Sequence, residues 1–339
     1  MPSSPFPSVI RRLTAAGFKR AFVRGEVLPD WWDDEIARHP TGLEEGIGIL
    51  AARLGVVPAS LRTGERAEFV PSVGMKFKTR AGLTAADAEP LARVATHALR
   101  LACAATPRGE WFASVDPLHL RQRILSTGVP YVSLGSLLDV CWASGVPVLH
   151  LSNAQGKDQK GGKTMDGVAA RFGDRSGIAL CRNHAAPSRQ LFILAHEIGH
   201  LALGHIPENG FLLDMKAAED TDDEERQAND FAWALLTGRR DYVFYTSPRW
   251  KAAQIAEAAR YYGARDGVSP GVLACHHSYS HPQYSGAAFK AVADLEPGAD
   301  AVGQIRSAAA DALDLGQLPD ESADYLARLA RLPIGERAA

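Results

Sequence analysis

The stretch PSRQLFILAHEIGHLALGH places His196 and His200 four residues apart, with Glu197 next to the first. On a helix, positions i and i+4 share one face, so both imidazoles can reach a single ion. This is zinc-ligand spacing, and the carboxylate of Glu197 stands where it can act as a base toward water that the ion activates. The surrounding side chains, Leu191, Phe192, Ile193, Leu194, Ile198 and Leu201, are apolar on nearly every face, which predicts a buried helix. Burying two imidazoles and a carboxylate costs free energy unless something compensates, so the pattern points to one bound zinc ion. Ser188 is the expected N-cap of this helix and Gly204 its terminator.

Two histidines leave a catalytic zinc one protein ligand short. The metzincin pattern needs a glycine three residues after the second histidine and a histidine ten after the first, but those positions hold Leu203 and Ile206. His205 lies beyond the Gly204 stop and reads as a supporting or loop residue. A better source is the next helix, which Thr221-Asp222-Asp223-Glu224 opens with capping-box spacing and which buries Ala228, Phe231, Ala232, Leu235 and Leu236. Glu225 and Asn229 border that stripe at i and i+4. An inward Glu225 completes a two-histidine, one-glutamate site, with Asn229 available to support a ligand. Glu224 aligns with Ala228 and Phe231, and helical geometry alone does not separate the two carboxylates. Most of the acidic run from Glu219 to Glu225 is what a solvated helix N-terminus favours.

These helices need a scaffold, and the preceding residues supply one. SLGSLLDVCWASG reads as an amphipathic helix capped by Ser133 and stopped by Gly145, feeding into the short strand VPVLHLS. DGVAARF and IALCRN, joined by GDRSG, read as a β-hairpin. The fold class is therefore α+β: a mainly helical chain with a central domain, 125–240, of zinc-binding helices on a small antiparallel sheet. In GKDQKGGKT the triplet Gly162-Lys163-Thr164 imitates a phosphate loop, but the first glycine would fall on Lys157 and a strand follows, so it reads as a flexible basic loop.

The flanks look helical. Residues 1–72 hold a Leu50, Leu54, Leu61 pattern interrupted by Gly55, which has helix-turn-helix spacing but few basic residues beyond Arg62 and Arg66. Residues 73–124 form a helical lead-in with Thr84 as a cap, and 241–339 an Ala/Leu-rich helical domain. A second histidine window, His276, His277 and His281, lacks a paired motif; it reads as a loop of solvated histidines, with one of them reaching the active site as the alternative.

Composition narrows the function classes. The chain has 339 residues, 37 Lys plus Arg against 39 Asp plus Glu and a net charge of -2, which leaves no whole-protein footprint for nucleic acid or an anionic membrane. Four cysteines without CxxC spacing, together with no signal-peptide pattern and no long apolar span, suggest a cytoplasmic protein with reduced thiols and no membrane partner.

The pair RQLFILAHEIGHLALGH and EERQANDFAWALL resembles the ImmA/IrrE family of zinc metallo-endopeptidases. The order of helix, strand and hairpin over roughly 130–183 is also similar to that domain. The resemblance implies His196, His200 and Glu225 as zinc ligands and Glu197 as catalytic base. It also implies a specific intracellular protein substrate, commonly a helix-turn-helix repressor cleaved in stress response or mobile-element control. Here Leu235-Leu236 is followed by Thr237-Gly238-Arg239-Arg240 where the family usually has a Met-Pro-type ending, a departure that bears on the substrate groove and not on the metal site. Arg182, His184, Tyr242, Tyr245 and the second histidine window are candidates for substrate or oxyanion contacts. The contrasting class is a DNA-binding regulator or antitoxin-like protein with a structural or sensory zinc; an intact Glu197 weighs against it, because a structural site needs no base.

Overall fold

The computed structural model describes residues 5–71, 75–78, 85–109, 114–151, 166–214 and 223–332. The expectations for Thr84, for the basic loop at 156–164, and for Glu219 to Asp222 fall outside these residues.

Five strands, β1 (Met75–Lys78), β2 (Val148–His150), β3 (Gly167–Phe172), β4 (Arg175–Leu180) and β5 (Phe211–Asp214), form one sheet in the order β1-β5-β3-β4-β2. The expected hairpin is β3–β4, closed at Phe172 opposite Arg175, with Gly173 at φ +63 in the turn. Such a φ suits glycine because it has no Cβ to clash. The sheet is mixed and not antiparallel as expected: β2 runs parallel to β4 and β1 parallel to β5, while β3 is antiparallel to both its neighbours. The outer strands arrive by long connections, which permit parallel pairing, whereas only a short turn dictates an antiparallel neighbour. Met75–Lys78 also departs from the helical lead-in, and β5 was not foreseen; β1 pairs along β5, whose other edge pairs with β3.

β2 and most of β3 and β4 are buried on both faces. Side chains alternate: Val168, Ala170, Ala179 and Phe211 join one core, and Ala169, Ile178, Leu180 and Leu212 the other. On the first face lies α5 (Ala85–Ala104), with α1 (Phe6–Ala15), α2 (Arg20–Phe22), α3 (Pro40–Leu54) and α4 (Pro58–Thr63) beyond it. The second face carries α6 (Pro117–Leu125), α7 (Leu134–Ala143), α8 (Pro187–Ala202) and α9 (Asp223–Thr237), then α10 (Ala252–Asp266), α11 (Pro270–Ser280), α12 (Ser285–Leu295) and α13 (Ala301–Ala312). The cores do not follow chain order, since α14 (Asp320–Ala330) returns to the first, where Tyr325 is fully buried beneath the Arg53 guanidinium. Gly55 (φ +64) separates α3 from α4, and Arg62 of α4 is ion-paired to Glu44 of α3.

Ser133 caps α7 as expected, and it does so in a capping box with Ser136. For α8 the cap differs. Ala186 occupies the N-cap position and Ser188 is inside the first turn, where its hydroxyl and amide both donate to the Glu296 carboxylate at 3.0 and 3.3 Å. A carboxylate from the end of α12 thus accepts from one of the N–H groups at the start of α8, where a local serine was expected to serve as cap. The second histidine window is likewise not a solvated loop: His276 and His277 are buried on α11, which packs against α8, α10 and α12. All four cysteines are free thiols. Among the described residues no helix is long and apolar enough to cross a membrane.

Candidate metal centre

The centre lies between α8 and α9. Gly199 of α8 is what lets them approach, because a Cβ there would meet the Ala228 carbonyl oxygen at 3.1 Å and Phe231 Cβ at 3.2 Å. One turn of α8 presents His196 and His200 side by side, their rings 4.6 Å apart and nearly perpendicular, with the two Nε2 atoms 3.0 Å from each other. Glu225, in the first turn of α9, spans them: Oε2 is 3.3 Å from His196 Nε2 and Oε1 is 3.2 Å from His200 Nε2. All three residues are buried. Burial alone would raise the Glu225 carboxyl, but His196 and His200, when they carry protons, more than offset it and hold the carboxylate ionised far below its ordinary range.

Two imidazole nitrogens and a carboxylate in mutual contact share at most a proton or two among them, whereas a cation satisfies all three donors at once. The donor set therefore fits a metal ion, and His196, His200 and Glu225 are the residues able to hold it. The structure brings Glu225, and not Glu224, to the two histidines, which resolves the choice left open by helical spacing.

Around the donors, Asn229 Oδ1 lies 3.1 Å from His196 Nδ1, as its i+4 relation to Glu225 suggested. His205 turns back under the helix after Gly204 (φ +74), and its Nδ1 is 2.9 Å from His200 Nδ1. Its other nitrogen faces Gln227 Oε1 at 3.0 Å. Gln227 was not anticipated, and a glutamine exposed on a helix surface carries no sequence signal of such a contact.

Glu197 is fully buried beside the start of β3. A Cβ on Gly167 would stand 2.8 Å from Glu197 Cδ and 2.9 Å from Cγ, closer still to Oε1, so the glycine leaves the space the carboxylate occupies. Arg182 is engaged by Asp166, the residue before Gly167, while its carbonyl accepts hydrogen bonds from His150 and Gln190. The Arg182–Asp166 pair therefore flanks the strand end next to Glu197.

An aromatic wall adjoins His196. Phe192, one turn earlier on α8, lies 6.3 Å from the His196 ring and 4.5 Å from Trp233, and Trp233 contacts His276 and Tyr279. Burial lowers His276 to about 4, so this ring is a neutral packing element at neutral pH. His277 bonds to the Thr246 hydroxyl at 2.6 Å. Tyr242 donates to Asp266, and burial with that partner raises its hydroxyl pKa; Tyr245 is largely exposed.

No curated protein and no solved structure gives a significant match to the chain. Residues 145–270 do match a family, Peptidase_M78, described as an IrrE N-terminal-like domain. That span runs from just before β2 to the start of α11 and contains all three donors and Glu197, so the similarity to this family covers the candidate centre.

Proposed function

We propose that this domain is a zinc-dependent endopeptidase in which His196, His200 and Glu225 hold one zinc ion and Glu197 is the catalytic base. The observation that carries the reading is the spacing of the donors. A tetrahedral zinc with bonds of about 2.0–2.1 Å needs ligand atoms about 3.3 Å apart; the two Nε2 atoms are 3.0 Å apart, and Glu225 brings one oxygen to 3.3 Å from His196 Nε2 and the other to 3.2 Å from His200 Nε2. Among the described residues the cluster holds three such side chains and no fourth, the count of a catalytic and not a structural site. Bound zinc supplies a Lewis acid that acidifies water and polarises a scissile carbonyl. Glu197 takes the proton of the attacking water and delivers it to the leaving amine, and its burial against Gly167 restricts where the carboxylate can lie. Asn229 orients the His196 ring.

The substrate on this reading is one intracellular protein, a helix-turn-helix repressor whose cleavage changes transcription in stress response or mobile-element control, and the protease works in the cytoplasm. The family match supports the peptidase part of the reading. The test compares wild type with Glu197→Gln for zinc content and for cleavage of repressors encoded beside this chain's gene. The variant is expected to keep its zinc and lose cleavage; zinc retained together with wild-type cleavage would refute the assignment of the base.

A further inference from the structure

We infer that Gln227 and His205 are positioning residues that fix the proton of His200 on Nδ1 and so keep its Nε2 lone pair available to a metal ion. The inference rests on the reading of His200 as a ligand. Its basis is the chain of contacts from Gln227 Oε1 to His205 Nε2 at 3.0 Å, and from His205 Nδ1 to His200 Nδ1 at 2.9 Å. An amide oxygen only accepts, so His205 carries its proton on Nε2 and presents a bare Nδ1. The facing Nδ1 of His200 must then be the donor, since two bare nitrogens at this distance repel. A neutral imidazole with its proton on Nδ1 has its lone pair on Nε2, the atom that faces His196 and Glu225.

The relay has a competitor to overcome. With the proton on Nε2, His200 would donate to Glu225 Oε1 at 3.2 Å, a favourable bond that blocks coordination. His196 is held against the same alternative in one step, through Asn229 Oδ1. His200 needs two steps because the imidazole of His205 stands between it and α9. Gly204 makes this route available: its left-handed conformation reverses the chain so that the His205 side chain returns beneath His200. His205 is buried, whereas Gln227 lies exposed on α9, so a surface amide sets the state of a buried ligand.

The exposed position makes Gln227 the residue to vary, because its substitutions leave the core intact. Zinc alone is titrated into the metal-free full chain against a chromophoric chelator. Gln227→Met, which keeps the length and loses the acceptor, is expected to bind zinc about 10- to 100-fold more weakly, the usual cost of removing such a partner. Gln227→Glu, which keeps the acceptor, is expected to bind at least as tightly as wild type. The double variant Arg226→Gln/Gln227→Met has the same net charge as Gln227→Glu without the acceptor, and is expected to remain weak. Thermal unfolding of the metal-free forms should be the same for all four proteins. Gln227→Met within about two-fold of wild type, or a double variant as tight as Gln227→Glu, overturns the relay. A wild-type chain that takes up no zinc overturns instead the reading of the site itself, so the two failures are distinct.

Discussion

Replacing Gly167 by alanine tests the placement of the base without touching a ligand. The added methyl carbon would lie 2.8 Å from Glu197 Cδ and 2.9 Å from Cγ. Carbon atoms rest at about 3.5–4.0 Å, so the carboxylate must withdraw by about 1 Å. Gly167 does not adopt the left-handed region, so alanine fits the backbone there and the perturbation falls on Glu197. His196, His200 and Glu225 come from α8 and α9, and zinc uptake should stay at the wild-type level. A base displaced by about 1 Å costs on the order of 100-fold in rate, which is about 2.7 kcal/mol of transition-state stabilisation. The assay is kcat/KM for cleavage of the natural substrate, with zinc content and the thermal midpoint measured on the same preparation. A variant that holds one zinc and cleaves at the wild-type rate would show that the carboxylate works from somewhere other than the niche beside β3.

Three further outcomes follow from the same geometry. Glu225→Ala should lose zinc on dialysis against a weak chelator while keeping wild-type far-UV circular dichroism, and full zinc retention would remove Glu225 from the ligand set. Gly199→Val should force α8 and α9 apart at a cost of about 1–3 kcal/mol and weaken zinc about ten-fold, because the donors come from both helices; unchanged affinity by chelator competition would show that this spacing does not set the site. His276 is lowered from 6.5 to about 4 by burial, with His277 and His281 adding to the effect and Tyr242 opposing it. The folded protein then binds fewer protons than the unfolded chain between these values, so stability is complete above about pH 6.5 and declines as pH falls toward 4. His276→Phe should remove about 2 kcal/mol of the loss between pH 7 and pH 5, measured by urea unfolding with chelator present; an unchanged pH slope would show that His276 titrates normally.

What the sequence determined by itself was local. His196 and His200 share a helix face because 3.6 residues make a turn, and that periodicity does not depend on the rest of the fold. The hairpin at Gly173, the capped helix after Ser133 and the left-handed glycines at 55, 145 and 204 were legible for the same reason, since a glycine turn or a cap is decided within a few residues. The linked motif in α9 pointed to Glu225 with Asn229, the pair that the fold sets beside the two histidines, but helical spacing alone could not rank Glu225 above Glu224.

Tertiary structure decided everything that depends on how distant elements pack. The packing of α9 against α8 brings Glu225 to the two histidines, and the long connections to β1 and β2 make the sheet mixed. Glu296 replaces Ser188 at the start of α8 because α12 ends beside it, 108 residues later. His276 and His277 are buried because α11 packs against α8, although their polar sequence neighbourhood suggested solvent. Gly167 beside Glu197 and Gln227 beside His205 are contacts across 30 and 22 residues, respectively, as their numbers in the chain show. A glycine at the head of a strand and a glutamine on a helix surface have no local preference that encodes such a partner. Their roles arise only when the packed cores bring the groups within van der Waals or hydrogen-bond distance.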